Sequence, residues 1–327
     1  MGQVEHCLNT EKNKEKGTEG GTLAQKLFDM HTRRIAQQDL LVTNLSLGRF
    51  IQRHRGATLA LLGGDASFRS QVDALQKQTN IQIEYLNCLN SSSGNPLPDT
   101  DYQQLTLSWL TIIKDWENDD IHHSFEFHSH LIELILRISR QLAESVLRSP
   151  ELLIRNEALK NRFDISYLQP LTSLSQTCVI ELYELVEYLA RIRGLGTHMA
   201  VIGASNPDMG KRVSFWLQEF RYRKERFDQN IQLIASNYLP CIPGLKHLPN
   251  LNMKLNYFTS LLGHEMTSER TFQVPSHKLF LMGTEIIDGY LAVMDQANAV
   301  IRDQLYHMNQ VCIERLSTDP EGISDRD

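Results

Sequence analysis

The chain of 327 residues is short of several things, and each shortage removes a class of protein. It has five cysteines, Cys7, Cys88, Cys178, Cys241 and Cys312, odd in number, far apart and without a Cys-x-x-Cys. That argues against a disulfide framework and predicts reduced thiols in a cytoplasmic protein. No apolar run reaches the roughly 18 residues that a membrane helix needs, so no membrane association is expected. The polar N-terminus "MGQVEHCLNTEKNKEKGTEGG" lacks the apolar core of a signal peptide. Met1-Gly2 hints at myristoylation, but the sixth residue is His6 rather than Ser or Thr. Basic residues are outnumbered: the net charge of −6 argues against a dedicated nucleic-acid binder. It leaves room for a small anionic ligand, because a local site can be positive on a negative chain. Glycine loops that cradle phosphate and motifs that present a nucleophile are also missing. The chain is therefore read as neither an enzyme nor a cofactor carrier.

Alternating strand patterns are missing too. From Thr22 onward the apolar residues recur with helical spacing, which predicts an all-α fold. Residues 1–21, rich in Lys, Glu, Thr and Gly, read as a disordered tail. Helices are expected over Leu23–Leu62 (stopped by Gly63-Gly64), Ser67–Leu89, Tyr102–Trp116 and Ile121–Leu147. Their short connections make residues 22–148 a first up-down bundle. The stretch "ELLIRNEALKNRFDISYLQP" bridges to a second half, residues 149–316. There, helices are expected over Leu171–Ile202, from Asn206-Pro207 to Asn237, over Leu251–Arg270, and from "VPSHKLF" to Leu316. Residues 317–327 read as a loose tail.

The two halves echo one another. Arg53-His54-Arg55-Gly56 corresponds to Arg191-Ile192-Arg193-Gly194, and Leu62-Gly63 to Ile202-Gly203 with two residues of slippage. Gln76 and Gln218 fall at similar places in the following helices. This is the mark of a faint internal duplication. On a helical wheel, Leu40, Leu47, Phe50, Ile51, Thr58, Leu61 and Leu62 form one apolar stripe, with Arg55 roughly 65–70° from its centre. Arg193 stands about 70° off the stripe of Leu182, Leu185, Leu189, Ile192, Gly196 and Met199, on the same flank. Arg53 and Arg191 are expected to face water. Each flank arginine is followed by a glycine, which costs roughly 1 kcal/mol in a helix relative to alanine and lets a backbone or ligand come close. A half-buried guanidinium needs an anion. Either a core-edge carboxylate such as Glu84, Glu181, Glu184, Glu219 or Glu225 supplies it, or the two arginines share an exogenous one.

"LGRFIQRHRGATLALLGGDASFRSQVDALQKQTN" resembles the start of the nitrate- and nitrite-sensing (NIT) domain. "ELYELVEYLARIRGLGTHMAVIG…FWLQEFRYRKERF" is similar to its second Arg-Gly segment, and "SHKLFLMGTEIIDGYLAVMDQANAVI" to its closing helix. The resemblance covers roughly residues 25–315, through degenerate motifs. It implies two packed antiparallel four-helix bundles and a nitrate or nitrite site built on Arg55 with Gly56 and Arg193 with Gly194. Arg221 or Arg226 of "FRYRKER" would join them, without a residue-by-residue match. Relatives usually carry an output module, and here the sensor resemblance uses up the chain. The resemblance therefore implies a separate effector protein, or a signal read through an exposed helix or tail, and leaves a homodimer open.

Three other readings compete. In "IHHSFEFHSH", His122, Glu126 and His130 share a helix face, but that face lies away from the apolar stripe and reads as solvated rather than metal-binding. "FRYRKERF" interleaves basic and aromatic residues, as RNA-contacting segments do, yet on a long helix of an acidic chain it reads as an ordinary charged face. The main rival is a ligand-free helical adaptor that binds another protein.

Overall fold

The computed structural model describes residues 2–148, 168–203, 207–267 and 272–318, and among these no strand occurs. The first helix, α1, spans Gly2–Leu62. It takes in residues 2–21, which the composition assigned to a disordered tail. Glu, Lys and Gln have good helix propensity and no proline interrupts them. The helix ends where expected: Gly64 adopts φ 106°, a left-handed turn that only glycine enters without strain. Asp65 then accepts from the Ser67 backbone N–H at 3.1 Å, opening a short 3-10 turn, Ala66–Phe68.

Next come α2 (Arg69–Ser92), α3 (Asp99–Lys114) and α4 (Ile121–Leu147). Asp120 caps α4, accepting from the His123 N–H at 2.9 Å. In the second half, α5 (Leu168–Ser175) runs through a π-helical turn (Gln176–Glu181) into α6 (Leu182–Ile202). Periodicity alone does not reveal this turn. Gly203, at φ 64°, closes α6. The remaining helices are α7 (Pro207–Tyr238), α8 (Leu248–Thr267) and α9 (Ser276–Thr318). Pro207 opens α7 as expected, while the capping Asn206, the bridge over 151–167 and the tail from 319 lie outside the described residues.

Helix α1 packs on α2 and α4 and also on α6 and α9; α6 packs on α7 and α9, α3 on α4, and α8 on α9. One contiguous apolar core, from Ile35 on α1 to Leu305 on α9, includes residues of both halves. A smaller cluster gathers Phe68, Val72, Leu75, Trp116 and Phe280.

The α1–α6 contact is a seam of glycines. A methyl added at Gly48 would strike the Tyr183 hydroxyl, one at Gly56 would lie 3.2 Å from Arg193 Nη2, and one at Gly63 would lie 2.8 Å from His198 Nδ1. Three large polar-tipped side chains of α6 thus sit where α1 has none. The pairings rise together along both segments, so α1 and α6 run parallel. Helix α9 runs antiparallel to α1, with contacts from Asp65–Ser276 through Arg53–Asp288 and Arg49–Asp295 to Gln38–Asn298.

Candidate functional site

Around both Arg-Gly pairs the helices are covered on every side. His54 to Ala60 of α1 and Arg191 to Met199 of α6 are all buried. A methyl added at Gly194 would lie 3.8 Å from the Gly56 Cα, so the two glycines mark the crossing itself. Each flank arginine then reaches across to the opposite helix.

Arg55 is fully buried and grips Glu187 of α6 with both arms of its guanidinium, Nη1 to Oε1 at 2.7 Å and Nη2 to Oε2 at 3.0 Å. Its Nη1 also donates to Ser129 Oγ at 3.0 Å, and the Phe125 ring lies 5.3 Å from its carbon. Glu187 is saturated: it accepts further bonds from Arg191 Nε at 2.6 Å and Gln52 Nε2 at 3.0 Å. Burial pushes its carboxyl up, but the charges of Arg55 and Arg191 outweigh this and hold it below the ordinary value.

Arg193 differs. It is 1% exposed. Nη1 donates to Thr284 Oγ1 of α9 at 2.8 Å and Nη2 to the Gln52 carbonyl at 2.9 Å, while Nε has no acceptor. A guanidinium carries five N–H groups, so three of them are unused. The Phe280 ring sits 4.6 Å from its carbon. No carboxylate of the described residues pairs with it. The acids whose charge it feels, Asp288 and Glu187, are engaged by Arg53 and by Arg55 with Arg191. Burial, with the like charges of Arg55 and Arg53, pulls Arg193 down to about 9.

Two histidines adjoin the pair. His54 Nδ1 lies 2.7 Å from His128 Nε2, and His128 Nδ1 lies 2.6 Å from the Ser124 carbonyl. The arrangement is satisfied when both rings are neutral and each donates from Nδ1. Burial drives His54 well below its ordinary value and His128 down to about 3. His54 Nε2 is left buried without a partner.

The structure brings together Arg55, Gly56, Arg193 and Gly194. Arg53 is half-exposed and pairs with Asp288 at 2.7 Å. Arg191, expected to face water, is buried at 7% exposure, pairs with Glu187 and Glu133, and stacks on Trp216 at 4.4 Å. The wheel assumed one wet face, and α6 has none here because α1, α7 and α9 enclose it. Arg221 and Arg226 do not join: Arg221 is exposed in a groove between α7 and α8, and Arg226 lies on the surface 3.5 Å from Glu181. None of the carboxylates named as internal partners holds Arg55; Glu187, four residues before Arg191, does. That i,i+4 spacing was its only sequence signal. His122 and His130 are exposed and Glu126 pairs with Arg212, and no three metal-ligating side chains cluster among the described residues. No helix among them is long and apolar enough to cross a membrane.

No protein-family model, curated protein or solved structure matches this chain.

Proposed function

We propose that the chain is a sensor of nitrate or nitrite, which it binds at Arg193 and Arg55 and answers by changing the geometry of its helices. One observation carries this reading. Arg193 is a buried guanidinium with three N–H groups free and no carboxylate of the described residues paired with it, beside a second arginine from the matching motif. Leaving a buried charge uncompensated costs several kcal/mol, and a bound monoanion removes that cost. Nitrate is planar with three acceptor oxygens, and a guanidinium is a planar fork of donors, so two parallel charge-assisted bonds can form. Arg55 Nε, also buried without an acceptor, is placed on the same cluster. The fold reading that accompanies this is two antiparallel four-helix bundles in pseudo-repeat, supported by the parallel run of α1 and α6, and the signal passes to an effector protein.

Size limits the affinity. Four heavy atoms at about 1.5 kcal/mol each give about 6 kcal/mol, a dissociation constant in the tens of micromolar. The ligand then cannot throw a switch fully and still bind well, so the response is graded. Nitrate at about a hundred times that constant stabilises by about 2.7 kcal/mol, which raises the melting temperature by roughly 5 °C. Arg193→Met removes that rise. Calorimetric titration without heat from nitrate or nitrite rejects the ligand assignment.

One observation favours a second reading, a ligand-free helical adaptor. Arg55 is already neutralised by Glu187, and α7 shows Phe215, Tyr222 and Leu233 to solvent at 53%, 69% and 77% exposure. A melt unchanged by nitrate, together with a partner lost on Tyr222→Ser and Leu233→Ser, supports the adaptor.

A further inference from the structure

The cluster holds four arginines, Arg53, Arg55, Arg191 and Arg193, against three carboxylates, Asp288, Glu187 and Glu133. It therefore has one positive charge in excess, and that charge belongs to the arginine without an ion pair. Glu187 is what keeps the excess at one. It occupies the fork of Arg55 as a bound anion would, and it is held by four hydrogen bonds from three side chains of α1 and α6.

We propose that Glu187 sets the charge specificity of the site: as a built-in anion it leaves one charge uncompensated, which a single monoanion at Arg193 balances, and it excludes dianions with similar oxygens, such as sulfate. This rests on the anion-binding reading above and adds the residue that limits what the site accepts. A dianion brought into the cluster would leave a net negative charge beside Glu187 in a region of low dielectric, where like charges repel most strongly. A monoanion closes the balance. Shape alone would not distinguish the two well, because a guanidinium fork bonds equally to two oxygens of a trigonal or a tetrahedral anion.

The test is the ratio of nitrate to sulfate affinity, measured by calorimetry on the full chain at constant ionic strength. The unmodified protein is expected to prefer nitrate at least tenfold. In Glu187→Gln, which keeps the shape and removes the charge, sulfate gains at least tenfold relative to nitrate. Glu133→Gln serves where Glu187→Gln fails to fold: Glu133 is 56% exposed and its loss is tolerable, and it shifts the ratio the same way by about threefold. An unchanged ratio in Glu187→Gln, or in Glu133→Gln should the first not fold, overturns the inference while nitrate binding stands. Absence of both nitrate and nitrite binding to the unmodified protein overturns the underlying reading instead.

Discussion

Arg55 and Arg193 occupy matching positions in matching motifs, each one residue before a glycine at the same helix crossing, yet their surroundings are opposite. Arg55 has its own carboxylate, a hydroxyl and a ring around it; Arg193 has a hydroxyl, a main-chain carbonyl and a ring, and no ion pair among the described residues. Burial is equal, so burial does not separate their roles. What separates them is whether the chain itself supplies the counter-charge. The pair teaches that a buried guanidinium is evidence for a ligand only after its ion pairs have been counted.

The sharpest way to break the comparison is to remove each cation. Arg55→Met leaves Glu187 with two of its four hydrogen bonds and is expected to destabilise the protein by about 3 kcal/mol or more. Arg193→Met removes a charge that has no ion pair, and denaturant melts of the ligand-free protein should show it neutral or more stable by about 1 to 2 kcal/mol. Equal destabilisation by both would mean that Arg193 is structural after all.

Acidity offers a second contrast. Arg193 titrates near 9 in the folded protein, below its unfolded value. Between those values the unfolded chain holds more protons, so stability of the free protein rises with pH there. The proposed anion binding requires the protonated form and runs the other way: affinity is expected to stay level up to about pH 9, then fall about tenfold per unit. Titrations at pH 7, 9 and 10 read this directly, and a flat profile would point to a cation other than Arg193.

The two glycines give a further contrast, and Gly194 the smallest effect. Gly56→Ala places a methyl 2.9 Å from Phe280 Cε2 and 3.2 Å from Arg193 Nη2, and overpacking of this kind costs about 1 to 3 kcal/mol. Gly194→Ala meets the tip of Leu59 at 3.2 Å and the Gly56 Cα at an ordinary contact distance of 3.8 Å, and recovers about 1 kcal/mol of helix propensity. It should melt within about 1 kcal/mol of the parent.

The sequence made much of this legible and hid the rest for a physical reason. Helical periodicity revealed the all-α class, and Gly63-Gly64, Gly203 and Pro207 marked boundaries where the chain needs a left-handed turn or a fixed φ. The repeated Arg-Gly pointed to two half-buried guanidiniums at the core edge beside a close approach, and the helix crossing buries both completely. Arg191, Glu187, Gln52 and the His54–His128 pair were not legible, because a wheel sorts residues into dry and wet faces, and here α6 has no wet face and α1 is covered from His54 to Ala60. Polar residues inside such a helix are recognised only by their cross-helix partners, and those come from segments distant in the chain.

Thr284, which receives the Nη1 hydrogen bond of Arg193, sits two turns into a helix that continues to Thr318. At 1.5 Å per residue the remaining rod is about 50 Å long. A tilt of about 5° at the arginine therefore carries its far end through about 4 Å by lever action. A change too small to see in the packing around one guanidinium would become a displacement of several ångströms at the end of that rod.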